Sequence, residues 1–287
     1  MKAIYKNEVS TYFTTLIGYI VVAFTVLFAG IFTSYTNLKF LSTRFEYVMS
    51  NMSIVFLIVV PILTMRTFSE ERKQKTESLL YASPVTTTEI VLGKYFALLT
   101  VTAIPLLMIC IIPLILRMFG NVYLPAAYIS IGGFFILGAA LLAIGMFISS
   151  LTDIQILAAG LTFVLLLANY FMGTLAPYIN TEAYVSLIAV IVAAVLLGVV
   201  IALVLKNWIP GVIVGALGVI AAVVVYIIRP ITYTNILMQF MGSIALFDRY
   251  SSVMYTSLDL SDMLFLVSTA VVFVFLTVQS LEKRRWS

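Results

Sequence analysis

The sequence predicts an all-α fold, a polytopic bundle of membrane-spanning helices. Of its 287 residues, 63% are hydrophobic and only 10% are charged, whereas soluble domains carry roughly 25% charged residues. Mean hydropathy is +1.15, and the apolar residues fall into runs close to the roughly 20 residues that a helix needs to cross a bilayer. No polar stretch is long enough for a soluble domain, so we expect residues 1–287 to form a single transmembrane domain.

Residues 1–13 precede the first apolar run and have a helical pattern. Their apolar side chains share one side of a helix, namely Ile4, Tyr5, Val9, Tyr12 and Phe13. This pattern predicts either an interfacial helix that lies on the membrane or a solvated start to the first span. The apolar run that follows lacks a convincing small-residue cleavage site, so we interpret it as a membrane helix and not as a signal peptide.

Eight runs are long and apolar enough to be predicted spans: 14–36, 47–65, 94–116, 126–149, 154–174, 183–205, 208–228 and 262–281. Only Lys206 and Asn207 separate the sixth run from the seventh, which predicts a tight hairpin and leaves six or seven spans as the alternative. Eight spans place eleven lysines and arginines on the side of the N-terminus and five on the other. The positive-inside rule therefore puts both termini in the cytoplasm.

The predicted spans carry few polar groups. We place no charged residue inside a span, and the chain has no histidine, which argues against an ion-coupled carrier. Asn169 is expected to form a hydrogen bond between helices, and glycines and alanines in the fourth span predict close helix packing. Residues 229–262 are less apolar and predict short amphipathic helices that form an extracytoplasmic connector.

The most charged segment runs from Met65 to Tyr95, between the second and third spans. Glu71 and Lys75 are spaced to pair on a helix from about Glu70 to Tyr81. Ser83 and Pro84 would end that helix. Thr86 and Glu89 then match a capping box, which predicts that a second helix starts at a defined residue and continues into the third span. The residue types alone are compatible with two roles. The segment either transmits a displacement to the third span or is a solvated loop that maintains topology.

The chain offers little for catalysis. Adjacent carboxylates such as Glu70 and Glu71 point about 100° apart on a helix, and we find no metal cluster, nucleophile elbow or phosphate-binding loop. We therefore expect no catalytic, cofactor or metal site and no enzyme activity in this chain. The net charge of +4 is small and dispersed, so nucleic acid is not an expected partner.

The segment MRTFSEERKQKTESLLYASPVTTTEIVLGKY resembles the first cytoplasmic loop of type-2 ABC exporter permeases, and most closely the gliding-motility branch. That branch typically reads M-R-x-x-x-E-E-R-x-x-G-T-x-E-x-L-x-x-x-P-V. The N-terminal KNEVSTYF and the C-terminal stretch with FDRY and SLEKRRW are similar to it too. Lys75 departs from the pattern, which often has glycine there, and the apparent extra hairpin at 183–228 departs from the usual six-span core.

The resemblance implies a permease in the bacterial cytoplasmic membrane, with a coupling helix in the loop 66–93 that docks on a separate ATPase subunit. ATP and magnesium would bind to that ATPase and not to this chain. Other expected partners are a second permease copy or a paralogue, membrane lipid and an extracytoplasmic accessory protein. The implied ATPase-coupling residues are Glu70, Glu71, Arg72, Thr76, Glu77 and Pro84.

Two functions are compatible with this resemblance. The first is export of a substrate, driven by ATP hydrolysis in the partner. The second is a membrane anchor that transmits force in a motility, secretion or envelope-sensing assembly without moving a substrate.

Overall fold

The protein, analysed as a computed structural model, is described over residues 1–73, 85–178, 183–204, 208–228, 236–255 and 260–285. Every regular element in these ranges is helical. The α-helices are α1 Lys2–Thr14, α2 Leu16–Thr33, α3 Glu46–Met52, α4 Phe56–Thr64, α5 Ser69–Lys73, α6 Thr87–Ile109, α7 Ile111–Phe119, α8 Leu124–Leu151, α9 Gln155–Leu175, α10 Ala183–Val204, α11 Trp208–Ile228, α12 Ile236–Ile244, α13 Leu246–Tyr255 and α14 Leu260–Arg285.

Six helical stretches within the described residues are long and apolar enough to cross a membrane. They correspond to the first five predicted spans and the last, and run over Leu16–Lys39, Glu46–Lys73, Thr87–Phe119, Leu124–Leu151, Gln155–Leu175 and Leu260–Arg284. By length and composition, the chain is therefore a multi-pass membrane protein with an all-helical fold. The third stretch begins earlier than predicted, at Thr87 and not at Lys94, which places Lys94 about two turns inside a helix.

The N-terminal residues form a helix of their own. The chain leaves helical geometry at Thr15, where φ is −86° and ψ is 149°, and α2 begins at the next residue. Helix α1 is therefore not the first turns of the first span; instead it packs along α6 and contacts α2. This separation allows polar residues of α1 to reach the beginning of α6.

The described helices divide into two compact units, Met1–Tyr170 with Leu246–Ser287, and Phe171–Ala245. In the first unit, α8 is the central helix and contacts α3, α4, α6, α13 and α14. Phe134 on α8 stacks on Phe56 with ring centroids 4.2 Å apart, and it meets Tyr250 edge to face at 6.0 Å. The Tyr250 hydroxyl donates to the Ser130 carbonyl oxygen at 3.1 Å. Aromatic packing thus joins α4, α8 and α13.

Two glycines of α8 let α4 approach closely. A Cβ atom built at Gly138 would lie 2.7 Å from the ring of Phe56, and one at Gly145 would lie 2.5 Å from Thr64 Oγ1. Neither position has room for a larger residue unless its neighbour moves. At these two positions the close packing predicted for the fourth span is confirmed.

The predicted connector forms two short helices, α12 and α13, while residues 229–235 and 256–259 lie outside the described part of the chain. Asn169 on α9 accepts a hydrogen bond from the backbone N–H of Leu246 at 3.0 Å, with both groups buried. The bond caps the first residue of α13. The inter-helix role predicted for Asn169 is therefore confirmed.

The second unit contains a helical hairpin made by α10 and α11, which contact each other extensively. A Cβ atom at Gly218 would lie 2.9 Å from Ala194 Cβ. Ala194 lies ten residues before the end of α10, and Gly218 lies ten residues after the start of α11. Contact between these two positions means that the helices run antiparallel, as predicted. Because the membrane-crossing stretches number six in the described residues, the total of eight spans remains a prediction.

Candidate transmission site

The last residues of the second membrane-crossing stretch, Glu46–Lys73, are anchored to the end of α8. Between α4 and α5 the backbone N–H of Phe68 donates to Ser149 Oγ at 3.2 Å, and the hydroxyls of Ser69 and Ser149 lie 3.1 Å apart. Ser69 and Ser149 are fully buried. Because Ser69 is the first residue of α5, these bonds fix the position at which α5 begins.

Three of the six residues implied by the family resemblance lie on α5, namely Glu70, Glu71 and Arg72. The other three, Thr76, Glu77 and Pro84, lie outside the described residues, as do Lys75 and Ser83. The Glu71–Lys75 pair and the break at Ser83 and Pro84 therefore stay predictions.

Glu71 helps to surround one buried cation. Lys94 Nζ donates to Glu71 Oε1 at 2.7 Å, to Glu8 Oε1 at 2.6 Å and to the Thr67 carbonyl oxygen at 2.9 Å. An ammonium group has three protons to donate, and these three acceptors match that number. The Phe68 ring centroid lies 5.3 Å from the same nitrogen. We call Lys94, Glu8, Glu71 and the Thr67 carbonyl the Lys94 cluster.

The charges in the Lys94 cluster depend on one another. The Lys94 side chain is only 2% exposed, while those of Glu8 and Glu71 are 17% and 23% exposed. Removing an ammonium ion from water costs several kcal/mol, which nearby carboxylates must offset. The two carboxylates would in turn repel each other if the cation were absent. The cluster therefore links α1, α5 and α6, and the strength of this link depends on all three charges.

Local structure explains why Lys94 is placed between these helices. Thr86 Oγ1 accepts from the Glu89 backbone N–H at 3.3 Å, and the Glu89 carboxylate accepts from the Thr86 N–H at 3.3 Å. The predicted capping box is therefore confirmed, and it fixes the first turn of α6. At Gly93 an added Cβ atom would lie 3.1 Å from Ile4 Cγ2. Glycine thus permits α1 to lie close to α6 beside Lys94.

Two tyrosines attach α1 to the helices around it. Tyr12 Oη donates to the Leu63 carbonyl oxygen, in the last turn of α4, at 3.0 Å. Burial raises the pKa of the Tyr12 phenol, and the negative charge of Glu8 raises it further, so the hydroxyl remains a neutral donor. Tyr5 Oη lies 2.9 Å from Thr100 Oγ1 on α6. Helix α1 is therefore bonded to the helices on both sides of the charged segment.

Arg72 belongs to a second cluster of opposite composition. Asp153 Oδ1 accepts from Arg72 Nη1 and from Arg284 Nη1, each at 3.3 Å. Arg72 Nη1 also donates to the Thr152 carbonyl oxygen at 3.3 Å, and Arg284 Nη2 donates to the Leu151 carbonyl oxygen at 2.9 Å. We call Asp153, Arg72 and Arg284 the Asp153 cluster. It joins α5 to the α8–α9 connection and to the C-terminal helix α14.

Glu70 has a local role. Its carboxylate receives two parallel hydrogen bonds from the Arg66 guanidinium, with Nε–Oε2 at 2.5 Å and Nη2–Oε1 at 2.6 Å. Two parallel bonds of this kind are frequent between arginine and carboxylate, and they fix the geometry of the pair. The pair spans the turn between α4 and α5 and stiffens it.

The sequence alone did not indicate Lys94, Glu8 or Asp153 as functional residues. The apolar run 94–116 predicts that Lys94 lies at the cytoplasmic end of the third span. The capping box at Thr86, in contrast, places Lys94 well inside a helix. A lysine in that position needs a carboxylate partner, but the adjacent segments offer five glutamates, Glu8, Glu70, Glu71, Glu77 and Glu89, and the sequence alone does not choose among them.

Comparison with known proteins gives no match, either to a protein-family model or to a curated protein. The physical arrangement is a short helix linked by charges to three others, at the point where the chain passes from the second span to the third. Displacement of α5 would move acceptors away from a buried cation. Such displacement is costly unless α1 and α6 follow.

Proposed function

We propose that this chain is the membrane-spanning subunit of an ATP-driven exporter of the bacterial cytoplasmic membrane. A separate ATPase subunit would bind ATP and magnesium, and it would contact the segment between the second and third spans. Two copies of the chain, or one copy and a paralogue, would form the path for the substrate. The chain itself would transmit the conformational change and perform no catalysis.

The observation that carries this proposal is the Lys94 cluster. The segment that contains Glu71 resembles the coupling loop of type-2 ABC exporters, and Glu71 shares the buried ammonium of Lys94 with Glu8. A force on the segment would thus reach α6 through an ion pair whose cation is almost fully shielded from water and whose carboxylate, on Glu71, is 23% exposed. Such pairs are strong because little solvent screens them, so the linkage would be stiff.

The Asp153 cluster supports a second branch of the same transmission. Arg72, which follows Glu71 on α5, reaches the end of α8 and, through Asp153, the C-terminal helix. One short helix would therefore move two groups of spans. That arrangement suits an exporter, in which helices on the two sides of a path must move together.

Charge reversal on α5 tests the proposal. The full-length chain is purified with its ATPase and reconstituted in proteoliposomes, and ATP hydrolysis and substrate flux are measured. We expect the double variant Glu70→Lys, Glu71→Lys to insert in the membrane but to lose substrate-dependent ATP turnover. A matched control is Arg117→Glu, which reverses an exposed charge at the end of α7.

Normal ATP turnover in the α5 double variant would overturn the proposal. In the unmodified complex, ATP-dependent flux supports export, whereas turnover without flux supports the force-transmitting assembly as the alternative. Insertion is checked by the amount of monodisperse protein that is recovered from membranes. This measurement separates a coupling defect from a folding defect.

A further inference from the structure

Two apolar grooves of similar size lie side by side on the first unit. One is formed by α6, α8 and α14, has a volume of about 660 Å³, and is lined mainly by apolar side chains that include Leu92, Ala139, Ala270, Val271, Val274 and Phe275. The other is formed by α1, α6 and α8, has a volume of about 650 Å³, and is lined by residues that include Tyr5, Leu99, Thr100 and Ala103. Both volumes are within the roughly 300–1,000 Å³ that is common for small-molecule sites.

The grooves share a wall. Phe96 on α6 and Phe135 on α8 line both of them. Phe96 is 43% exposed, and both grooves are open at the surface of the unit. A ligand with two apolar branches could therefore place one branch on each side of these two rings.

The two grooves are lined by charged side chains of opposite sign. Glu282, Gln279 and Thr88 line the first groove at the end where α6 begins and α14 ends. Lys2 lines the second groove. Met1 N, one residue from Lys2, lies 3.8 Å from Glu89 Oε1, one residue from Thr88. The cationic and anionic ends of the grooves are therefore neighbours.

We propose that the two grooves bind one diacyl phospholipid with an amine headgroup, phosphatidylethanolamine. One acyl chain would lie in each groove, the phosphate would contact Lys2, and the ammonium would contact Glu282. The grooves belong to helices that cross a membrane, where acyl chains are the surrounding solvent. A zwitterionic headgroup satisfies both charges, whereas phosphatidylglycerol has no cation for Glu282. The proposal does not depend on the exporter function.

Native mass spectrometry of the full-length chain tests this site. The protein is purified in detergent, exposed to an equimolar mixture of dioleoyl phosphatidylethanolamine and dioleoyl phosphatidylglycerol, and the retained lipids are counted. We expect one phosphatidylethanolamine per chain, preferred about tenfold, the selectivity that one charge-assisted hydrogen bond can give. Glu282→Gln should still retain lipid, but it should retain the two lipids in about equal amounts.

A groove-filling variant tests the acyl site separately. Ala270 is 7% exposed and lines the first groove, so Ala270→Phe should lower phosphatidylethanolamine retention about tenfold by filling the space. Val272→Phe is the control, because Val272 lies on the same helix, is 53% exposed and does not line the groove. That variant should retain lipid as the unmodified chain does.

Two results would overturn the proposal. The first is equal retention of the two lipids by the unmodified chain, with no change in Glu282→Gln. The second is disulfide crosslinking between two copies of Val271→Cys in native membranes, which would show that a second copy of the chain covers the groove. Because the lipid measurement does not involve ATP turnover, its failure would leave the exporter proposal standing.

Discussion

The two charged clusters that hold α5 are built from the same kinds of groups but differ in burial. In the Lys94 cluster two carboxylates surround one lysine that is 2% exposed. In the Asp153 cluster two arginines, Arg72 with a side chain 3% exposed and Arg284 with one 38% exposed, share an aspartate that is 71% exposed. The central ion is shielded in the first case and solvated in the second.

This difference in burial separates two mechanical roles. A buried ion that loses its partner cannot be stabilised by water, so the Lys94 cluster must move as a unit or break at a high cost. An exposed aspartate is hydrated whether or not its arginines are near, and its ion pairs are screened by salt. We therefore infer that the connection from α5 to α6 is stiff and that the connection to α14 is compliant.

Removing the charge of Lys94 should produce the largest effect. Lys94→Met leaves Glu8 and Glu71 together without their cation, and breaking a buried ion pair in this way costs about 3–5 kcal/mol. We expect a clear decrease in the midpoint of thermal unfolding in detergent. Lys94→Arg keeps the charge and is the matched control, with a smaller decrease because the guanidinium is larger.

The same site allows a test of coupling within the cluster. Glu8→Gln and Glu71→Gln added to Lys94→Met remove the carboxylates that the first substitution leaves unpaired. We expect the triple variant to be more stable than Lys94→Met alone, because neutral groups do not repel each other. If the effects of the three substitutions simply add, the cluster does not act as a unit.

The next largest effect on stability should come from the packing of α8 on α4. Gly145 lies one turn before Ser149, which anchors α5, and a Cβ atom there would lie 2.5 Å from Thr64 Oγ1. Gly145→Ala should destabilise the protein by about 1–3 kcal/mol through overpacking. A Cβ atom at Gly132 meets no atom within 4 Å, so Gly132→Ala is the control and should be neutral or stabilising.

Equal stability of the two alanine variants, compared by their thermal midpoints, would contradict this packing. It would mean that Thr64 adjusts freely and that the charged clusters and the hydrogen bonds to Ser149 suffice to hold the segment after α4. A lower thermal midpoint for Gly145→Ala but not for Gly132→Ala would show that packing of α8 on α4 also helps to hold this segment.

Loss of the cap at the start of α6 should have a smaller effect on stability. Thr86→Ala removes the side-chain acceptor for the Glu89 N–H, and loss of such a cap costs about 1 kcal/mol. Thr86→Ser keeps a hydroxyl and serves as the control. Hydrogen exchange at the first turn of α6 is the direct measurement, because faster exchange should be confined to that turn. Unchanged exchange in Thr86→Ala would indicate that packing against α1, and not the cap, fixes the helix start.

Much of the helical architecture could be predicted from the sequence because membrane helices have a simple requirement. A run of about 20 apolar residues suffices for a span, and six of the predicted runs are confirmed as helices that can cross a membrane. The capping box at Thr86 was also predicted, since it depends only on residues three positions apart. Asn169 was predicted as a hydrogen-bonding residue, although its partner, the Leu246 N–H, was not.

The candidate site could be predicted only in part because its contacts join distant residues. Glu8 and Lys94 are 86 positions apart, and Arg284 and Asp153 are 131 apart. No local spacing rule relates such residues. The family resemblance implies Glu71 as a coupling residue, but its contact with Lys94 depends on how α1, α5 and α6 pack. That packing follows in turn from Gly93 and from the break at Thr15.

Neutralising Asp153 should have the smallest effect of the series. Asp153→Asn removes one charge and keeps an oxygen that can accept from both arginines, so we expect a loss of at most about 1 kcal/mol. The loss should shrink as salt is added, because the aspartate is exposed, whereas the loss in Lys94→Met should be nearly independent of salt. Unfolding midpoints at low and high ionic strength measure both variants. If Asp153→Asn were as damaging as Lys94→Met and equally insensitive to salt, burial would not be what distinguishes the two clusters. The α14 connection would then be as stiff as the α6 connection.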